Sequence, residues 1–259
     1  MHAERHIQPS VTEFTRYGAD GARLTIERVG VNPTALFVSG IHGDEHEVIE
    51  PLRRQLDRKV KEDPHHFASH VRALEAHPAA LQDKVRAARG VDLNRQFVFK
   101  ETPDHPQAKL LADTLLEHEG IHTVFSFHED PLERRFYVYN LMTRSDDGSM
   151  DAAIESLSTN LLSRVTAMDI PLYNGIDDID LGYWVDHGFC AVASDAIHDN
   201  SFEMWAVQNE LHGHPSMQRA FLFEIPGMLP IAQKEELIRV ILDEFIGPYM
   251  AHTQSGIRA

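Results

Sequence analysis

Three apolar runs in this chain each end on ionisable side chains. "TALFVSG" (34–40) leads into His42, Asp44, Glu45, His46 and Glu47, "HTVFSFHED" carries His128 and Glu129, and "RAFLFEIPG" holds Glu224. A short continuous apolar run reads as a strand covered on both faces. Leaving carboxylates and imidazoles at the ends of such strands costs free energy unless something offsets their charge. Between these runs lie stretches of helical spacing. They are "EHEVIEPLRRQLDRKVKED" with Pro51 tolerated near its start, "HPQAKLLADTLLEHEG" ending at Gly120, "DGSMDAAIESLSTNLLSRV" capped by Ser149, and the terminal "IAQKEELIRVILDEFIGPYM". Further strands are expected in "RLTIERVG" (23–30), "RRFYVYNLM" and "FCAVAS". "HHFASHVRALEAHPAAL" should bring a strand or an irregular return before a turn at His77 and Pro78. Strands alternating with helices imply an α/β sheet covered by helices on both faces, with functional groups collected outside the carboxyl ends of the strands.

The totals narrow the partners. With 24 Lys and Arg against 40 Asp and Glu, the formal net charge is -16. That balance disfavours nucleic acid and anionic membrane surfaces, both of which demand basic excess. The only cysteine, Cys190, cannot form an internal disulfide and reads as a small buried residue of a strand. The polar N-terminus has no signal-peptide core and no run is apolar enough to span a bilayer, so a cytoplasmic protein is expected. Without repeats or linkers, residues 1–259 read as one catalytic-sized domain.

Chemistry concentrates at the strand ends. Catalytic zinc commonly takes two His and one carboxylate and leaves a position open. His42 and Glu45 are three apart, so a strand-to-helix turn can aim both at one point, and His128 is the natural third ligand. The string "HGDE" alone would also suit a solvated loop. The helical metal pattern is absent, because His46-Glu47 is followed by Glu50 rather than a second His. In "ARGVDLNRQF" (88–97), Asn94 and Arg95 set an amide beside a guanidinium fork suited to a carboxylate, although a lone arginine is ordinarily a surface ion-pair residue. Glu224, among Phe, Leu and Ile, is costly without a function.

Together these segments, in the order "HGDE", "GVDLNRQF", "FSFHED", "FLFEIPG", resemble the zinc carboxypeptidase family, including its succinylglutamate desuccinylase and aspartoacylase branch, over roughly residues 35–230. The resemblance implies a three-layer sandwich with a mixed, mostly parallel sheet. It also implies one Zn2+ per chain held by His42, Glu45 and His128, a carboxylate grip by Asn94 and Arg95, and Glu224 as general base. The family's carbonyl-polarising arginine has two candidates, Arg86 and Arg89. In the deacylase branch it sits eight positions before the second residue of the pair, where this chain has Ala87; Arg86 is favoured. The family's mobile tyrosine has no counterpart in "NSFEMWAVQNELHGH", where Phe202 and Trp205 are expected to pack.

The implied reaction is hydrolysis of an amide near a free substrate carboxylate. Water activated by zinc gives its proton to Glu224, which returns it to the leaving nitrogen. A carboxypeptidase-like peptidase is the leading expectation and an N-acyl amino acid deacylase the alternative. The 35 residues after Glu224 and "GVDLNR" favour the former, and "HPAAL" the latter. A binding protein that lost catalysis would lack a ligand or the base, and all are present. The stretch from about 172 to 218, where specificity should be decided, matches poorly. Within it "NGIDDIDLG" reads as a solvated acidic loop. Tyr137 and Tyr139 could line a cleft, with core packing as their default, and His65, His66, His70 and His77 read as surface or turn residues.

Overall fold

The computed structural model describes residues 9–99, 101–142, 151–178, 183–193, 199–208 and 218–256. The elements run β1 (Val11–Tyr17), β2 (Arg23–Val29), β3 (Ala35–Ser39), α1 (Ile49–Glu62), α2 (Pro64–Phe67), β4 (His70–Ala73), α3 (Pro78–Asp83), α4 (Pro106–Leu116), β5 (Thr123–Asp130) and β6 (Tyr137–Met142). They continue α5 (Asp151–Ala167), β7 (Gly175–Asp178), β8 (Tyr183–Val185), β9 (Phe189–Ala193), α6 (Phe202–Val207), β10 (Arg219–Pro226), α7 (Ile231–Ile241), a π turn at Leu242–Ile246, and α8 (Gly247–Gly256). The main sheet has the order β1-β2-β4-β3-β5-β10-β6-β9, and β7 pairs with β8 in a separate hairpin.

The four central strands β4, β3, β5 and β10 are mutually parallel. Their buried pattern explains this placement, since a parallel sheet needs cover on both faces. Along β3, Leu36 and Val38 face one apolar core while Ala35 and Phe37 face the other. The first core is closed by α4 and α6, through Ala108, Leu111, Leu115, Phe202 and Trp205. The second is closed by α1, α5, α7 and the π turn, through Leu52, Leu56, Leu161, Leu237 and Phe245. The result is a three-layer sandwich on a mixed, mostly parallel sheet, with helices on both faces.

Several sequence expectations need correction. β1 is a largely exposed, alternating edge strand that pairs antiparallel with β2, in a stretch read only as polar. α4 stops at Leu116 rather than at Gly120. A Cβ on Gly120 would lie 3.0 Å from the Pro33 carbonyl oxygen, so that glycine serves a close approach between chain segments rather than a helix cap. His70 and His77 are buried, not superficial. His70 accepts from Arg72 Nε at 2.8 Å and faces the Phe67 carbonyl oxygen at 3.0 Å, and burial pushes its imidazole well below the usual histidine range. Residues 175–178 of the expected acidic loop form β7. Phe202 and Trp205 are packed, as expected, and Cys190 is buried with its thiol pushed up to about 11 by burial. The cap residue Ser149 lies outside the described residues. Among the described residues no helix is long and apolar enough to cross a membrane.

Candidate active site

Strand register assembles the site. β5 runs parallel to β3 on one side and β10 on the other, and His128 pairs in register with Glu224. On the far side of β10, Glu224 pairs with Tyr137 of β6. Side chains one strand apart stand about 5 Å from each other, so His128, Glu224 and Tyr137 form a row across the sheet. At the end of β3 the chain turns through a 3-10 segment, Gly43–Val48, that swings Glu45 back beside His42. This turn needs its glycine, because a Cβ on Gly43 would lie 1.9 Å from the Ala80 carbonyl oxygen of α3.

His42, Glu45 and His128 offer ligand atoms that all lie within 4.8 Å of one another, and all three are buried. Both imidazoles turn Nδ1 toward the same carboxylate: His42 Nδ1 is 2.5 Å from Glu45 Oε1 and His128 Nδ1 is 2.9 Å from Glu45 Oε2. Their Nε2 atoms are committed elsewhere, His42 to Asp92 at 3.0 Å and His128 to Glu203 at 3.1 Å. Two imidazole nitrogens and a carboxylate converge, and each ring is oriented by a second carboxylate. That is the donor set and outer support of a zinc site, and the residues fit that metal.

The charges say the same. Burial alone would raise the Glu45 carboxyl, but His128 and His42 outweigh it and hold it well below the usual carboxylate range. Burial would also lower His128, yet Glu45 and Glu203 overcome it and push the ring well above the usual histidine range. Asp92 is held down at about 2, where the His42 bond and Arg86 outweigh burial. Three carboxylates around two imidazoles make a pocket that favours a cation. Glu224 differs. Burial, seconded by the negative charges of Glu45, Asp177 and Asp130, pushes it up to about 8 despite the opposing pull of His128.

These groups line a cavity of about 290 Å³ that also admits Arg86, Asn94, Arg95, Tyr137 and Tyr139. No protein-family model matches this chain, and no curated protein is similar to it in sequence. Solved structures are. A candidate metallopeptidase of Shewanella baltica OS155 superposes with a TM-score of 0.66 at 20% identity, covering 91% of this chain and 85% of that one. A metallo-carboxypeptidase of Burkholderia cenocepacia gives 0.57 at 13% identity, covering 98% and 67%. A succinylglutamate desuccinylase/aspartoacylase of Rhodobacter sphaeroides gives 0.51 at 14%, covering 97% and 67%. The chain has a carboxypeptidase-like fold.

Within that carboxypeptidase-like frame the two candidate arginines part company. Arg86 lines the cavity, with Nη1 3.4 Å from Glu45 Oε1 and Nε 3.4 Å from Asp92 Oδ2. Arg89 lines a different cavity beside His77 and His105. Arg95 is partly exposed at the cavity, anchored by Nη1 donating to the Asn94 carbonyl oxygen at 2.9 Å and lying 3.6 Å from Asp199. Asn94 is buried and both ends of its amide are engaged: Nδ2 donates to Glu203 at 3.3 Å, and Oδ1 accepts from the Phe202 backbone at 2.9 Å. Its amide therefore ties the loop after Asp92 to α6.

Sequence reasoning missed Asp92, Glu203 and Asp177. Glu203 sits between Phe202 and Met204 on the short helix α6, fully buried, and accepts from Ser126 Oγ at 2.5 Å as well as facing His128. A carboxylate among apolar neighbours was the signal that exposed Glu224, and "SFEMW" carries it too. Asp177 accepts from the phenols of Tyr137, at 2.9 Å, and Tyr139; these tyrosines pack in the core, as expected, and also line the cavity with their hydroxyl ends.

Proposed function

We propose that this chain is a zinc-dependent hydrolase that cleaves an amide bond next to a free carboxylate, in the manner of a carboxypeptidase. The observation that carries the reading is the convergence of His42, Glu45 and His128 within 4.8 Å, one strand away from a raised Glu224. Solved structures of the same fold include ones named metallo-carboxypeptidase and desuccinylase/aspartoacylase, which supports a peptide or an N-acyl amino acid as substrate.

The metal, held by His42, Glu45 and His128, would supply Lewis acidity to a water and to the scissile carbonyl. Everything else falls to the chain. Asp92 and Glu203 keep the two imidazoles turned so that Nδ1 faces the centre. Glu224, one strand from His128 and facing the same cavity, takes a proton from the attacking water and hands it to the leaving nitrogen. Arg86, beside Glu45, stabilises negative charge developing on the carbonyl oxygen. Arg95, partly exposed at the cavity with its Nη1 held by the Asn94 carbonyl and beside Asp199, takes the substrate carboxylate through its remaining N–H groups. Asn94 holds the loop that carries Arg95, and in that way contributes to the same grip.

The test separates base from ligand. Glu224→Gln should keep zinc and inhibitor affinity while turnover falls by at least ~100-fold, whereas His128→Ala should lose zinc as well. Zinc content, inhibitor binding and kcat would be measured on one preparation of each. Loss of zinc from Glu224→Gln would make it a ligand, and retained turnover would remove it as the base. Parallel assays with N-acyl amino acids would turn the reading toward a deacylase if only those are cleaved.

A further inference from the structure

One side chain breaks the apolar stripe of α7. Positions 234, 237, 238 and 241 share a helix face, and Leu237, Ile238 and Ile241 are fully buried in the second core. Lys234 takes the remaining place and is just as inaccessible to solvent. Its ammonium donates to Glu129 Oε1 at 2.7 Å and to Glu47 Oε2 at 2.5 Å. Glu129 is buried, and its second oxygen has no partner among the described residues, so Lys234 is the cation that offsets its charge.

The two carboxylates come from the two segments that carry the metal-binding residues. Glu47 lies with Glu45 in the 3-10 turn Gly43–Val48, directly after His42. Glu129 follows His128 on β5. Its backbone N–H donates at 3.3 Å to Glu45 Oε2, on the carboxylate that both imidazoles face. Lys234 itself belongs to the helix that follows the Glu224 strand. One ammonium therefore ties together the turn, the strand end and the helix after β10.

Stability does not explain this choice. Exchanging a buried ion pair for apolar side chains of similar volume is often neutral or stabilising, and the other residues of this stripe are apolar already. What an apolar side chain cannot do is hold two carboxylates at set hydrogen-bond distances. We propose that Lys234 is a positioning residue: through Glu47 and Glu129 it fixes the turn bearing His42 and Glu45 against the strand end bearing His128. This rests on the zinc-hydrolase reading and deepens it.

The test removes the clamp without leaving a buried charge. Lys234→Met combined with Glu129→Leu keeps the volumes close, while Glu47, half exposed, stays solvated. A control, Arg54→Gln with Glu235→Gln, removes an ion pair that ties α1 to α7 but touches neither the turn nor β5. Three quantities would be compared with wild type: the urea midpoint of the metal-free protein, zinc affinity by chelator competition, and the visible spectrum of the cobalt-substituted protein. In the clamp variant the midpoint should stay near that of wild type while zinc affinity falls ~10- to 100-fold and the cobalt bands shift; the control should stay within about twofold in affinity. Affinity within about twofold of wild type in a folded clamp variant overturns the proposal, and so does an equal loss in the control. If the clamp variant does not fold, Glu47→Gln decides, since it leaves no buried charge behind: a loss of ~10-fold or more upholds the clamp and a smaller one overturns it. Unchanged affinity with amide hydrolysis intact removes Lys234 and leaves the hydrolase. Affinity lost with the clamp, in a protein whose wild type cleaves no amide, upholds Lys234 and removes the hydrolase. A wild type without zinc affinity removes both.

Discussion

On the proposed reading, Glu203 separates holding a metal ligand from being one. It touches His128 at Nε2, on the far side of the ring from the convergence point, and it is braced by Ser126 and Asn94. Glu203→Gln keeps the volume and removes the charge. Zinc affinity should weaken ~10- to 100-fold, as for other outer carboxylates, with the fold retained. Competition with a chromophoric chelator measures this, and unchanged affinity would reduce Glu203 to packing. The arginines offer a paired comparison. Arg86→Ala should lower kcat by ~100-fold, the loss typical of one oxyanion donor, whereas Arg89→Ala, whose side chain opens on another cavity, should stay within about twofold. Similar losses in both would return the assignment to the open choice the sequence leaves. At this scale the residues that converge on the cavity, His42, Glu45, His128 and Glu224, were legible because ionisable groups at the ends of apolar strands are costly enough to stand out. Asn94 was legible as a polar residue in the right place, but not as one whose amide is spent inside the protein.

Elements explain why the rest was harder to read. The central strands β3, β5 and β10 announce themselves through continuous apolar runs. β1 does not, because an exposed edge strand has no core to write its pattern. β7 sits in an acidic stretch whose strand character comes from its hairpin with β8 and from the sequence-distant tyrosines beneath Asp177, rather than from an apolar pattern of its own. The 3-10 turn after β3 was visible as "HGDE", yet the reason for its glycine was not, since that reason is α3. Gly43→Ala would push a methyl into the Ala80 carbonyl. We expect a cost of about 3 kcal/mol in urea unfolding of the metal-free protein, together with weaker zinc binding as the turn shifts His42 against Glu45. A variant that keeps both would show that α3 yields easily.

For the molecule as a whole, the parallel arrangement of β3, β5 and β10 has a kinetic consequence. His42 and Glu45 are neighbours along the chain, but His128 and Glu224 reach them only after crossovers that include α1, α4 and several strands. Closing such long loops precedes the contacts that reward it, so these pairings form late. The proposed zinc ion would therefore find a complete coordination shell only in chains that have already passed the main barrier. It should act as a latch on the finished molecule rather than as a template. Refolding from urea should proceed at the same rate with or without zinc, while the unfolding rate of the zinc-loaded protein should fall by at least ~10-fold, as for interactions absent from the transition state. Stopped-flow traces in both directions would decide it: zinc-accelerated refolding would mean that the metal gathers the strands itself.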